Sequence, residues 1–447
     1  MTSYGPLPDW RAILREGGGQ LQQQLLDGSI GPAPKGRYEH WEKLRHRTPP
    51  RGFTPETWWA GIKLQRHQQR RDLPMADLAG QNFGYVPVPQ LEGGLHRLDS
   101  RAAGRIAMPE AIANPDHRDR YLVSSLIEEA VTSSQLEGAA TTRRVAVDML
   151  RAGRAPRDVD ETMIFNNYRA METIRQWREA PITPERVLEL HRILTEDTLD
   201  DPDNAGRIQQ PGEKRVAVWD DRRNRLLHQP PPAQYLEERM AAMCRFANQR
   251  FEGAEFLHPL IQAVVLHFWL AWDHPFVDGN GRTARALFYW QMLKAGYWLF
   301  EFLSISTVIR QAPVQYQNAF LDTETDDNDL TYFLLHQLSV IDQAMATLEA
   351  YLQRKHSELQ QAEQLLRGHS NLNSRQLALL SHALRHPDAA YTIRSHQRSH
   401  NVAYATARSD LFDLVDKGLL MRSPAGIRPQ RFTVPPDLTA RVHGEAD

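Results

Sequence analysis

The sequence predicts a mainly all-α protein with two small β elements, and three patterns carry that prediction. From His258 to Trp272 the residues are apolar almost all round, with a proline at the second position, as in a buried helix. After Gly281 a second apolar run passes through Leu287, Phe288, Trp290, Met292 and Leu293 and stops near Gly296. Towards the C-terminus the signals follow one another as helix, strand, two helices and hairpin.

The elements can be justified in order. Residues 1–104 read as an N-terminal helical region, in which Tyr38 to Arg71 is basic and aromatic, with Trp41, Trp58 and Trp59. Tryptophans with basic neighbours either bind nucleic acid or pack against the next domain. Residues 105–354 read as the main domain. Within it Leu122, Leu126, Ala130 and Ser134 recur at helical spacing, which predicts an amphipathic helix over residues 120–137 ended by Gly138. Lys214 to Trp219 and Arg225 to His228 flank the turn-rich Asp220 to Asn224, which predicts a β-hairpin, and Tyr235 to Asn248 reads as a helix. Leu330 to Arg354 closes the domain as a helix. Its polar continuation reads as a connecting helix over residues 355–370. Residues 371–436 follow as Ser374–Arg385 (helix), Tyr391–Ile393 (strand), Arg394–His400 and Val402–Lys417 (helices) and a hairpin from Leu419 to Val434 around Gly426.

The chemistry concentrates in the loop between the two apolar helices, His274-Pro275-Phe276-Val277-Asp278-Gly279-Asn280-Gly281-Arg282, with Arg285 one turn on. Gly279, Asn280 and Gly281 lie at a helix N-terminus, where backbone N–H groups have no helical partner and glycines let an anion approach. Arg282 and Arg285 sit in the first turn, where a cation opposes the helix dipole at a cost of roughly 0.3–1 kcal/mol each. Three residues apart, they share a face and suit one polyanion. Asp278 beside them can hold magnesium on a polyphosphate through oxygen. His274 is the one group of the cluster that accepts a proton near neutral pH.

Other readings of the same residues fare worse together than singly. Asp-Gly-Asn-Gly is commonly a plain turn. Gly279 to Ala284 fits the dinucleotide fingerprint GxGxxA, but a helix rather than a short strand precedes it. A calcium loop starting at Asp278 would need glutamate where Tyr289 stands.

The run resembles the signature of the Fic family, HxFx(D/E)GNGRxxR, at every specified position. The resemblance implies a helical core that transfers AMP from ATP to a hydroxyl side chain of a target protein. His274 would be the general base and Asp278 the Mg2+ ligand. Gly279, Asn280, Gly281, Arg282, Thr283, Ala284 and Arg285 would form the nucleotide-binding stretch, with Arg285 reaching the γ-phosphate. Upstream, Ser133-Ser134-Gln135-Leu136-Glu137-Gly138 is similar to the family's inhibitory motif (S/T)xxxE(G/N). By that resemblance Ser133, Glu137 and Gly138 belong to an inhibitory helix, and Glu137 pairs with Arg285 in the place of the γ-phosphate. In some relatives the equivalent glutamate also orients a water that removes AMP. The hairpin, with Val216, Ala217 and Val218, falls where the family has a target-binding flap. Tyr316-Gln317 departs from the paired tyrosines of many relatives, which leaves the nucleoside end less defined.

The C-terminal pattern resembles a winged helix-turn-helix. Arg394, His396, Arg398, His400, Arg408, Arg422, Arg428 and Arg431 suit phosphate contacts with DNA, whereas Asp410, Asp413 and Asp416 oppose them if they face the groove. Such modules also dock proteins.

Composition excludes more than it selects. With 447 residues and a net charge of −2 there is ample chain for several domains and no global pull towards nucleic acid or membrane. The single cysteine, Cys244, excludes an internal disulfide and cysteine-rich zinc sites. No signal pattern, long apolar span, HExxH or P-loop occurs, so a cytoplasmic protein without a membrane partner is expected. Two functions follow: an AMP-transferring enzyme whose C-terminal module docks targets or forms a homodimer, and a DNA-binding regulator whose Fic domain senses nucleotide.

Overall fold

The computed structural model describes residues 6–17, 30–103, 115–152, 154–220, 225–366, 372–400, 402–423 and 430–443. The chain divides into two compact units, Met1–Ile106 with Val123–Met345, and Ala107–Leu122 with Ala346–Asp447. The protein is mainly helical, as its periodicities predict. Among the described residues no helix is long and apolar enough to cross a membrane.

The first unit opens with α1 (Trp10–Glu16), α2 (Trp41–Leu44) and α3 (Pro55–Gln69). Trp41, Trp58 and Trp59 are buried with Trp10 in one cluster made of residues of the N-terminal region itself, not of the next domain. The basic residues of α3 go inside with them. Lys63 Nζ donates to Asp326 Oδ1 at 2.6 Å and Arg66 Nη1 to the Tyr332 hydroxyl at 2.6 Å. These long-range pairs draw the N-terminal region into the first unit instead of leaving it as a separate section. The region is also not purely helical: β1 (Arg71–Ala76) and β2 (Asn82–Tyr85) pair antiparallel around Asp77, whose carboxylate accepts from the N–H groups of Ala79 and Gln81.

After α4 (Pro89–Leu98) come α5 (Pro115–Leu136), α6 (Arg143–Ala152), α7 (Val159–Gln176) and α8 (Pro184–Thr195). The helix expected over 120–137 is α5, and the side chains before Ser125, Arg120 and Leu122 among them, lie outside the described residues. The hairpin is β3 (Val218–Asp220) with β4 (Arg225–His228), and its turn, 221–224, likewise lies outside them. Then follow α9 (Leu236–Asn248), α10 (Pro259–Asp273), α11 (Asn280–Lys294), α12 (Ile305–Gln311), α13 (Pro313–Thr325) and α14 (Thr331–Leu366). The apolar pair α10 and α11 forms the centre, with α7 and α8 against α11 and α9 against α10. Helix α14 runs unbroken through the expected boundary near residue 354.

The second unit holds α15 (Ser374–Arg385), β5 (Ala390–Tyr391), α16 (Ile393–His400), α17 (Tyr404–Asp416), β6 (Met421–Arg422), β7 (Phe432–Thr433) and α18 (Leu438–His443). The strands pair antiparallel in the order β5-β7-β6. The core is apolar, with Leu380, Ala407, Leu411, Leu414 and Phe432 fully enclosed. Asp410 points into this unit. Arg375 Nε donates to its carboxylate at 2.7 Å, Asn373 at 2.8 Å, and His396 stands 3.2 Å away. Asp413 accepts from Gln376 and Lys417. Arg428, Gly426 and the Arg398 side chain lie outside the described residues.

Candidate active site

Helix α10 ends at His274, which adopts the left-handed conformation (φ 47°, ψ 52°) usually left to glycine, at roughly 1–2 kcal/mol. Its neighbours hold it there. The His274 N–H donates to Leu270 O at 2.9 Å, and Arg215 Nη2 donates to the carbonyls of Asp273 (2.7 Å) and His274 (3.0 Å). Beyond the turn, Asn280 ties the loop to itself: its Oδ1 accepts from the Phe276 N–H and its Nδ2 donates to Phe276 O, both at 2.9 Å. Gly279 has φ 79°, and a Cβ there would come within 2.7 Å of Thr195 Cγ2. The chain therefore enters α11 with its first amides unpaired within the helix, as an anion site requires.

His274 shares a cavity of about 280 Å³ with Glu137, Gly281 and Arg285, whose other walls include Val218, Leu227, His228, Trp272, Tyr316, Phe320 and Glu324. Its Nδ1 lies 3.3 Å from Ala271 O. A carbonyl only accepts, so Nδ1 carries the proton and Nε2 keeps its lone pair. Burial pushes the His274 pKa down to about 4, with His228 and Arg215 adding to the effect and Glu137 opposing it. The ring is neutral at pH 7.

Arg285, 2% exposed, reaches back to α5. Nε donates to Ser133 Oγ at 2.9 Å, and Nη2 donates to Ser133 O at 3.0 Å and Glu137 Oε1 at 2.8 Å. Burial disfavours its charge, yet Glu137 and Tyr316 more than offset that and hold its pKa above the usual arginine value. The same carboxylate lies over the first turn of α11, so close that a Cβ on Gly281 would overlap it. Helix α5 ends just before it, with Gly138 at φ 102°. Two turns upstream, the buried Glu129 accepts from the hydroxyls of Tyr289 and Ser304 at 2.9 Å, from Ser306 N–H at 3.1 Å and from Ser306 Oγ.

Several expected site residues are placed differently. Arg282 is turned under the loop, where Nη1 donates to Leu194 O at 3.0 Å and Nη2 to Asp278 Oδ2 at 3.1 Å. Thr283 and Ala284 are fully buried, and the Thr283 hydroxyl donates to Gly279 O at 2.9 Å. Their side chains do not line the cavity, because the helix turns them towards the core. Asn280 uses its side chain within the loop, so anion contact there falls to backbone amides. Val216 and Ala217 precede β3, because Arg215 is drawn inward to the loop carbonyls, and Val218 alone of the three lines the cavity. The Asp278 carboxylate is 53% exposed, with one oxygen on Arg282.

Residues not singled out in the sequence also shape the site. His191 of α8 accepts from the Gly206 N–H at Nδ1 (3.0 Å) and lies 2.9 Å from Asp278 O at Nε2, its ring stacked on Phe276. Burial pushes its pKa down to about 4. His228 of β4 meets Trp272 O at 2.6 Å and Glu324 at 2.8 Å. His191 has no signal in the sequence beyond a polar residue on an otherwise apolar helix face.

Residues 181–292 match the model of the Fic/DOC family. The stretch contains the loop and most of α11 but not Glu137. A protein adenylyltransferase Fic of Nematostella vectensis is 29% identical over 202 residues, 45% of this chain and 43% of the relative. One of Drosophila melanogaster is 35% identical over 119 residues, 26% of this chain and 21% of the relative. The chain thus spans less than half the length of these relatives. A solved Fic family protein from Desulfovibrio desulfuricans G20 aligns with 79% of this chain and 98% of its own, at 19% identity and a TM-score of 0.48. The match to the Fic/DOC family covers about a quarter of the chain, and the loop from His274 to Arg285 lies within it.

Proposed function

We propose that this protein transfers AMP from ATP to a hydroxyl side chain of a target protein and is restrained by its own Glu137. The observation that carries the reading is a histidine whose Nδ1 faces the Ala271 carbonyl, which assigns the lone pair to Nε2, in the same cavity as an N-terminal helix turn and a buried arginine. His274 Nε2 takes the proton of the target hydroxyl as its oxygen bonds to the α-phosphorus. The bond from that phosphorus to the bridging oxygen breaks, and pyrophosphate leaves. The amides at Gly279 to Gly281 receive phosphate oxygens, and Arg285, once Glu137 is displaced, takes the γ-phosphate. The names of the adenylyltransferase relatives support the choice of nucleotide.

The residues present also suit magnesium. Among the described residues no three acidic, histidine or cysteine side chains gather into a cage. Magnesium on a nucleotide needs only one or two carboxylates beside the phosphates, and the exposed oxygen of Asp278 supplies that. The ion would neutralise charge on the phosphates. Val218 and the exposed Trp219 and Leu226 on the hairpin support its reading as a flap for a target segment.

Incubation with α-labelled ATP and magnesium tests the reading. Glu137→Gly should carry more label than wild type, as AMP on a hydroxyl side chain, and His274→Ala in that background should carry none. Equal labelling in all three would refute it. Label lost on addition of wild type would identify removal of AMP.

A second reading keeps one observation of its own. We infer that the second unit is a winged helix-turn-helix with α17 as its recognition helix. Of the three aspartates that would repel DNA, Asp410 and Asp413 face α15 and Asp416 is exposed, as are Tyr404, Ala405, Arg408 and Ser409. His396 is buried against Asp410, so it drops out of the expected phosphate contacts. A gel shift with random duplexes at low salt tests DNA binding.

A further inference from the structure

We propose that His191 is a positioning residue for the phosphate loop. From α8 it holds the Asp278 carbonyl inward, so that the Gly279 amide and the Asp278 carboxylate are presented together to a nucleotide. The ligand's identity rests on the AMP-transfer reading above; the loop-holding role does not.

The ring is fixed on three sides. Gly206 donates its N–H to Nδ1 at 3.0 Å, so that nitrogen bears the lone pair and the proton sits on Nε2. From there it donates to Asp278 O at 2.9 Å. The opposite tautomer would set an N–H against an N–H and a lone pair against a carbonyl, and a doubly protonated ring would repel the Gly206 amide. The face of the ring lies on Phe276, centroids 3.7 Å apart and planes 7° from parallel. A Cβ on Gly279 would sit 3.2 Å from Nε2, so the left-handed turn is packed against the same atom. His191 therefore grips both ends of the segment from Phe276 to Gly279.

The consequence follows from the planar trans peptide. In the Asp278–Gly279 unit the carbonyl and the N–H point in opposite directions, so a carbonyl held towards α8 turns the Gly279 N–H away from it. Without the imidazole donor the carbonyl loses the partner that holds it towards α8, and the peptide can rotate to find another. Rotation would withdraw an amide from the anion site and re-aim the Asp278 side chain, without touching His274 or Arg285.

The test uses the full chain with His191→Leu and His191→Gln, the latter able to donate from about the place of Nε2. In the protein without nucleotide, His191→Leu should speed amide hydrogen exchange across residues 276–283 about tenfold, and His191→Gln should restore most of the protection. In the Glu137→Gly background His191→Leu should weaken magnesium-ATP binding about tenfold by calorimetry, again with recovery in His191→Gln. Loop exchange in His191→Leu equal to wild type, or His191→Gln as loose as His191→Leu, would overturn the proposal. If the Glu137→Gly parent takes up no magnesium-ATP, the nucleotide reading falls, while loop exchange still decides for His191.

Discussion

Glu137 Oε1 stands 2.8 Å from Arg285 Nη2 and directly over Gly281, so one carboxylate occupies both the arginine and the N-terminal turn of α11. A helix N-terminus and a buried guanidinium are the two anion-binding devices of this site, and an internal anion already uses them.

Removing that carboxylate should therefore free the seat for a phosphate. A hydrogen bond to a charged group contributes about 1.5–3 kcal/mol, so Glu137→Gly should bind magnesium-ATP roughly 10- to 100-fold more tightly. Calorimetric titration against wild type checks it, and unchanged affinity would mean that the nucleotide does not compete with Glu137.

On the proposed reading, the pH profile of Glu137→Gly should show where His274 titrates. Its pKa is lowered to about 4 with Glu137 opposing the shift, so removing Glu137 lowers it further, and on the proposed reading AMP transfer in Glu137→Gly should hold from neutral pH down to about 4. The profile of kcat/KM in Glu137→Gly measures this, and an acid limb near 6.5 would contradict it. The linkage to stability has a matching sign. Because the folded value lies below the unfolded one, the contribution of this histidine is whole above about 6.5 and is lost as pH falls from there towards 4.

Glu129 anchors the helix that carries Glu137. Its carboxylate serves Tyr289, Ser304 and Ser306, and Glu129→Leu would strip the buried Ser306 N–H and hydroxyl of their partner while Tyr289 keeps Leu303 O and Ser304 keeps Thr307. A loss on the order of 3 kcal/mol is expected, read from the midpoint of denaturant unfolding. A shift no larger than that of an exposed substitution would show that the donors find other partners.

In the second unit Asp410 joins Asn373, Arg375 and His396, and its carboxyl pKa is held below the usual value: burial works to raise it, but the hydrogen bonds from Arg375, Asn373 and His396 outweigh that. Its stabilisation is present above the ordinary carboxylate range and disappears as pH falls through the depressed folded value. Asp410→Ala should cost about 2–3 kcal/mol and expose the amides of α15 to faster hydrogen exchange. Protection of α15 equal to wild type would count against this role.

What the sequence determined by itself is local. Apolar periodicity marks α10 and α11, Gly279 and Gly281 mark the turn and the open amides between them, and the order of helix and strand signals marks the second unit. Each depends on residues within a few positions of one another, and secondary structure follows from such spacing. The tertiary structure decided which donor meets which acceptor. His191 reaches Asp278 across 87 positions, Arg215 reaches His274 across 59, and Glu129 reaches Ser306 across 177. It also turned Arg282, expected on the polyanion beside Arg285, beneath the loop, and Asp410 inward against Arg375 and His396. Hydrogen bonds between such distant residues leave no periodic trace. They exist because packing α8, α5 and the loop together buries polar groups that must then find partners.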